Sequence, residues 1–75
     1  MIVNYNKLWK LLMDRGMSRT QLRKQAGITT NAMAKMGKNE NVSTEVLCKI
    51  CRILECQIAD IMELVEANEE ISEVP

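Results

Sequence analysis

Residues 18–36 read SRTQLRKQAGITTNAMAKM. Two hydroxyl residues in this stretch, Ser18 and Thr29, stand where each can cap the start of a helix. Gly27 lies between the helices that these caps predict, and a glycine permits the sharp turn that must join them. We therefore predict one short helix after Ser18 and a second over 30–37.

The apolar residues of the stretch are spaced so that the second helix can pack against the first. They are Leu22, Ala26, Ile28, Met33 and Met36. The second helix begins instead with short polar side chains, which suit a helix end that enters the major groove of DNA. This combination predicts a helix-turn-helix unit.

Further helices are predicted on both sides of this unit. The upstream residues Tyr5, Leu8, Trp9, Leu12 and Met13 follow the i, i+3, i+4, i+7, i+8 spacing of an apolar helix stripe, and Gly16 can end that helix. Downstream, Ser43 can cap a fourth helix that is apolar on most sides. The spacing of Ile58, Ile61, Met62 and Val65 predicts a fifth.

The fold class expected from these elements is all-α, a compact five-helix bundle over residues 1–66 with an acidic tail over 67–75. Its predicted core residues are Trp9, Leu12, Leu22, Met33, Val46, Ile50 and Leu54. Strand signals are confined to 1–3 and 71–74, and those two segments could pair.

Composition excludes several classes of protein. The chain has 75 residues and no histidine, so it forms one domain and has no imidazole for a catalytic triad. No apolar run is long enough for a membrane span, and no signal peptide is recognisable. Three cysteines without a secretion signal indicate a reduced, cytoplasmic chain. We expect no enzymatic activity and no cofactor.

The net charge of zero conceals a division along the chain. Residues 1–44 carry eight basic and two acidic side chains, a balance of +6, whereas residues 45–75 carry two basic and eight acidic ones, a balance of −6. A basic half is typical of a protein that binds nucleic acid. The alternative is two faces that are simply solvated differently.

The stretch from Ser18 to Met36 resembles the Cro/C1-type helix-turn-helix family, the phage-repressor-like DNA-binding domains. The resemblance extends over roughly residues 5–66, because the run VSTEVLCKICRIL at 42–54 is similar to the fourth helix of that family. It implies a lambda-repressor-like bundle whose third helix, about 30–37, enters the major groove. The chain also looks like small stand-alone regulators of Gram-positive bacteria.

The resemblance implies two groups of DNA contacts. The candidates for contact with base edges are Thr29, Thr30, Asn31 and Lys35, and the candidates for contact with phosphates are Arg19, Lys38, Asn39 and Asn41. Arg19 stands where the family often has a glutamine that touches a phosphate. Asparagine can pair with adenine and lysine can donate to guanine. In the alternative interpretation these side chains form a solvated helix face and ordinary turn residues.

The three cysteines suggest a metal or redox site that the chemistry does not support. A structural zinc site needs four ligands, and the chain offers Cys48, Cys51 and Cys56 without histidine. On an apolar helix, cysteine behaves as a small hydrophobic residue. We therefore expect Cys48 and Cys51 in the core and no metal, with a thiol switch or shared metal as the alternative.

The function expected from the sequence is transcriptional regulation by sequence-specific binding to double-stranded DNA, without a small-molecule ligand or membrane partner. A homodimer is expected, because one recognition helix supplies few base contacts. Leu64, Ile71 and Val74 are candidates for the dimer contact. The rival function is a protein-interaction or antitoxin-like helical module whose acidic half binds a basic partner.

Overall fold

The computed structural model describes residues 1–66 and contains four α-helices and two short strands. In chain order these are β1 (Ile2–Asn4), α1 (Asn6–Asp14), α2 (Arg19–Ala26), α3 (Thr30–Gly37), α4 (Thr44–Leu54), a single 3₁₀ turn (Ile58–Asp60) and β2 (Glu63–Val65). The predicted start of α2 after Ser18 and the predicted bounds of α3 are confirmed.

Hydroxyl caps begin three of the helices, as the sequence predicted. The Ser18 Oγ accepts a hydrogen bond from the Gln21 N–H at 3.1 Å, and the Gln21 side chain accepts one from the Ser18 N–H at 2.8 Å. The Ser43 Oγ accepts from the Val46 N–H at 3.2 Å. Each cap satisfies a donor that the helix itself leaves unpaired.

The prediction of a five-helix, all-α bundle is wrong at the end of the domain. The spacing from Ile58 to Val65 predicted a helix, but the chain makes one 3₁₀ turn and then extends into β2. β2 pairs antiparallel with β1, with Val3 opposite Leu64. A short isolated helix is marginal in water, and the extended form lets both segments satisfy their backbone groups. The other segment with a strand signal, 71–74, lies outside the described residues.

The core lies where the helices and the 3₁₀ turn meet. Its buried residues are Tyr5, Leu8, Leu12, Leu22, Ile28, Met33, Met36, Leu47, Ile50, Leu54 and Ile61. Five of the seven predicted core residues are among them. Trp9 and Val46 are only half-buried, and Met13, on the predicted stripe of α1, is 79% exposed.

The prediction that Cys48 and Cys51 are buried in the core is wrong. Cys48 is exposed, and Cys51 and Cys56 are half-buried. α4 is amphipathic rather than buried all round, because it contributes Leu47, Ile50 and Leu54 to the core and turns Cys48 to the outside. Within residues 1–66, no helix has the length and apolar character that a membrane span requires.

Candidate nucleic-acid interface

The turn between α2 and α3 has the geometry that the sequence predicted. Gly27 adopts a left-handed conformation, with φ 71°, and its N–H donates to the Arg23 carbonyl oxygen at 3.0 Å. Ile28 then enters the core. An L-residue with a side chain is strained in this conformation, so glycine allows the chain to leave α2 and begin α3 within three residues.

The two faces of α3 differ sharply. Met33 and Met36 are buried beneath the helix. The opposite face is exposed and consists of Thr30, Asn31, Ala34, Lys35 and Lys38, the last of these at the helix end. Three of the four predicted base-contacting residues therefore share a surface that is open to a partner, and the small Ala34 between them leaves room for close approach.

Thr29, the fourth predicted base-contacting residue, caps α3. Its Oγ1 accepts a hydrogen bond from the Ala32 N–H at 3.0 Å. This cap uses only a lone pair of the oxygen, so the hydroxyl hydrogen can still be donated to a base or phosphate.

Two grooves flank the exposed face of α3. The groove between α2 and α3 encloses about 300 Å³ and is lined by Arg19, Thr20, Arg23, Thr30, Met33, Ala34 and Gly37. The groove between α3 and the start of α4 encloses about 260 Å³, and its lining includes Asn31, Lys35 and Ser43. The fold thus brings Asn31 and Lys35 to one side of α3, and Arg19 to the other.

Arg19, a predicted phosphate contact, lies against an aromatic ring. Its Cζ is 3.7 Å from the centroid of the Trp9 ring, within the range of a cation–π interaction. Arg19 is exposed, and no carboxylate of residues 1–66 lies within ion-pair distance of it. Its guanidinium is therefore not paired with an acidic side chain of residues 1–66, and its in-plane donors can reach a ligand.

The turn from α3 to α4 is anchored by a buried tyrosine. The Tyr5 N–H donates to the Asn39 Oδ1 at 3.1 Å, and the Tyr5 hydroxyl donates to the Glu40 carbonyl oxygen at 3.0 Å. Burial raises the pKa of Tyr5, although a backbone hydrogen bond from Val42 opposes that rise. These bonds hold the turn that presents Lys38 and Asn41, both exposed.

Asn39 itself has a structural role among the predicted phosphate contacts. It is half-buried, adopts a left-handed φ of 58°, and has its side-chain oxygen engaged by Tyr5. Asparagine tolerates this conformation better than most residues. Only its amide nitrogen remains to donate to a phosphate.

Sequence reasoning missed Thr20, Arg23 and Ser43 as groove residues. At Arg23 the sequence left two possibilities open, because the Cro/C1-type family usually has a small residue there. Either the stem of Arg23 packs between the two helices, or the helices open slightly. The structure leaves Arg23 half-buried along the α2–α3 groove, a position that suits an arginine whose stem is apolar and whose end is charged.

The thiols lie on another part of the molecule from these grooves. Burial, followed by the neighbouring thiol of Cys56, raises the pKa of Cys51 to about 11, so its thiolate forms only at strongly alkaline pH. Among residues 1–66, no three histidine, cysteine or carboxylate side chains cluster closely enough to hold a metal ion.

Comparison with known proteins links this geometry to one family. Residues 7–67 match the family model described as a Cro/C1-type HTH DNA-binding domain. Among solved structures, the crystal structure of the transcriptional regulator VanUg, Form II, is 53% identical in sequence, with a TM-score of 0.83. The match covers 87% of this chain and 88% of that one. The sequence by itself also resembles, less specifically than the family, a small regulator of a vancomycin-resistance operon, and the VanUg neighbour agrees with that resemblance. No curated protein matches this chain.

Proposed function

Since this chain belongs to the Cro/C1-type helix-turn-helix family of DNA-binding domains, we propose that it inserts α3 into the major groove of its operator, as a dimer on a pseudo-palindromic site. The chain is a DNA-binding transcriptional regulator and not an enzyme. The observation that carries the proposed binding mode is the exposed face of α3 with Thr30, Asn31 and Lys35 upon it.

The chemistry of that face suits contact with base edges. Asn31 can donate to and accept from adenine, Lys35 can donate to guanine O6 and N7, and the Thr30 methyl group can meet the methyl group of thymine. None of these three side chains is engaged in a hydrogen bond or ion pair with the rest of residues 1–66. They are therefore available without the loss of an internal contact.

Phosphate contacts are proposed on either side of the same helix. Arg19 lies at the α2 side, and Lys38 and Asn41 lie in the turn after α3. Asn39 can add a donor through its amide nitrogen while its oxygen holds Tyr5. These groups belong to the basic half of the chain and border the exposed face of α3. We therefore place phosphate contact and base contact at one surface.

Dimerisation is part of the proposal because a single recognition helix covers only one half-site. We place the acidic half of the chain away from DNA, as its charge requires. A regulator of this kind acts in the bacterial cytoplasm, which suits a chain with three free thiols.

The test begins with fragments of genomic DNA selected by the purified protein, followed by affinity measurements on the recovered site and on a scrambled duplex. Asn31→Ala and Lys35→Ala should each weaken binding to the recovered site by about 1–3 kcal/mol and change binding to scrambled DNA little. Arg19→Gln and Lys38→Ala should weaken binding to both duplexes alike and lower the salt slope by about one unit.

Lys10→Ala supplies the matched control. It removes one exposed positive charge from α1, beside Glu55 and Asp60 rather than beside α3, and should leave the salt slope nearly unchanged. If Asn31→Ala and Lys35→Ala lose nothing that depends on sequence, α3 is not the recognition helix. If the wild-type protein shows no salt-dependent binding to DNA, the protein-interaction alternative leads.

A further inference from the structure

We propose that Trp9 is a positioning residue for DNA binding, whose ring holds the Arg19 guanidinium in the orientation that meets a phosphate. The inference rests on the proposed function and adds a residue of α1 to it. Trp9 was predicted to lie in the core, and its half-buried position is what leads to this different role.

The first support is the geometry of the pair. The Arg19 Cζ lies 3.7 Å from the centroid of the Trp9 ring, much closer than the 6 Å or so within which a cation is attracted to an indole face. Both residues line one surface depression between α1 and the start of α2, together with Leu12, Met13, Met17 and Ser18. The two helices therefore hold the ring and the cation together.

The second support is the space that Gly37 leaves. A Cβ built on Gly37 would lie 3.3 Å from Arg19 Nη1, closer than ordinary van der Waals contact. Unlike Gly16 and Gly27, Gly37 has no left-handed backbone conformation that would explain a glycine. The missing side chain instead leaves room for the guanidinium, which touches the Trp9 ring and approaches the end of α3.

The third support is what the stacked guanidinium leaves free. Stacking occupies the flat face of the group, whereas hydrogen bonds to a phosphate are made by the N–H donors at its edge. No carboxylate of residues 1–66 pairs with Arg19. The donors therefore remain unpaired at the mouth of the α2–α3 groove, which Arg19 also lines.

The consequence for binding is preorganisation. An arginine with a free side chain must be ordered when it meets a phosphate, and that ordering reduces affinity. A guanidinium already held by Trp9 and given room by Gly37 needs less ordering. Because a phosphate occurs at every base pair, this advantage should be the same on all DNA sequences.

Trp9 is the single tryptophan of the chain, so its fluorescence reports the stack directly in the free protein. Arg19→Gln and Arg19→Lys should both change the intensity or wavelength of its emission, because neither replacement keeps a planar cation on the ring. Lys10→Ala, on the same helix, should leave the emission unchanged. Unchanged emission in both Arg19 variants would show that no stack forms and would overturn the inference.

Binding is then measured in a double-mutant cycle, with Trp9→Leu, Arg19→Gln and the double variant, on the recovered site and on scrambled DNA. Trp9→Leu should weaken binding about two- to fivefold on both duplexes, as the size of a cation–π interaction implies. In the Arg19→Gln background, Trp9→Leu should cause no further loss. Trp9→Phe keeps an aromatic face and should restore most of the affinity.

Two results would overturn the inference while leaving the proposed function intact. One is an equal loss from Trp9→Leu with and without Arg19, which would mean that Trp9 acts through the fold alone. The other is Trp9→Phe binding about two- to fivefold more weakly than the wild type at an unchanged melting temperature. This second comparison does not require Trp9→Leu to fold. A wild-type protein that binds neither duplex would instead overturn the proposed function, and the inference with it.

Discussion

At the scale of single residues, the backbone at the end of α4 brings together the groups that change the pKa of Cys51. Glu55 adopts a left-handed φ of 54°, and the Cys56 N–H donates to the Cys51 carbonyl oxygen at 3.1 Å. This left-handed cap ends α4 and turns the chain back toward the last turn of the helix. The thiols of Cys51 and Cys56 are thereby brought close enough to influence each other, which together with burial raises the pKa of Cys51.

The raised pKa of Cys51 predicts a loss of stability at alkaline pH. The unfolded thiol titrates near its ordinary value, whereas the folded one titrates at about 11. Between these values the unfolded state has lost the proton and the folded state retains it, so the contribution of Cys51 is fully present below pH 9 and is lost as the pH rises through 11.

Melting temperatures measured from pH 7 to pH 11 check this expectation. The wild-type protein should lose more stability above pH 9 than Cys51→Ala. Cys48→Ala, at an exposed position of the same helix, removes only one of the smaller causes of the raised pKa and should stay close to the wild type. Identical profiles for wild type and Cys51→Ala would contradict the assignment.

At the scale of elements, α4 supports the helix-turn-helix unit formed by α2 and α3. It packs against α2 and against the 3₁₀ turn, and its residues Leu47, Ile50 and Leu54 all enter the core. The groove between α3 and the start of α4 holds Asn31 and Lys35. Loosening α4 should therefore weaken the fold and the placement of α3 together.

Ile50→Ala should lower the free energy of unfolding by about 2–5 kcal/mol, because it removes a fully buried side chain and leaves a cavity. In a domain of this size that is a large share of the total stability. Cys48→Ala, two positions away on the exposed side, should change it by less than about 0.5 kcal/mol. Denaturant unfolding measures both values, and a similar small change for the two variants would argue against the assigned core.

At the scale of the whole molecule, the β1–β2 pair brings the first residues of the domain against residues 63–65. Leu64 on β2 is 55% exposed, although it stands opposite Val3, which packs against the core. An exposed leucine on a short sheet at the periphery is a candidate contact for a second copy of the chain. The other proposed dimer residues, Ile71 and Val74, lie outside the described residues.

We predict that Leu64→Gln shifts the protein from dimer toward monomer and reduces affinity for the full operator more than for a half-site, with little change in melting temperature. Met13→Gln is the control, since Met13 is likewise a large exposed apolar residue, on α1. Sedimentation at several protein concentrations measures the oligomeric state of the two variants. Titration of the full operator and of a half-site measures their affinities. A dimer that persists in Leu64→Gln, with operator affinity unchanged, would remove Leu64 from the interface.

The local sequence pattern was sufficient to predict the helices and the turn of the helix-turn-helix unit. The caps Ser18, Thr29 and Ser43 and the turn residue Gly27 each act within three or four residues of the chain, so their roles could be inferred from spacing. The exposed and buried faces of α3 follow from helical periodicity for the same reason. The contacts of these faces with DNA stay predictions.

Contacts between distant parts of the chain could not be predicted from the spacing of residues. β2 forms by pairing with β1, which lies about sixty residues earlier, and the apolar spacing of 58–65 suited a helix equally well. Trp9 follows the inner stripe of α1, yet Arg19 from another helix covers its ring and Gly37 from a third leaves the space. Such environments depend on how the helices pack, because a side chain's neighbours across the fold are set by tertiary geometry and not by its place in a repeat.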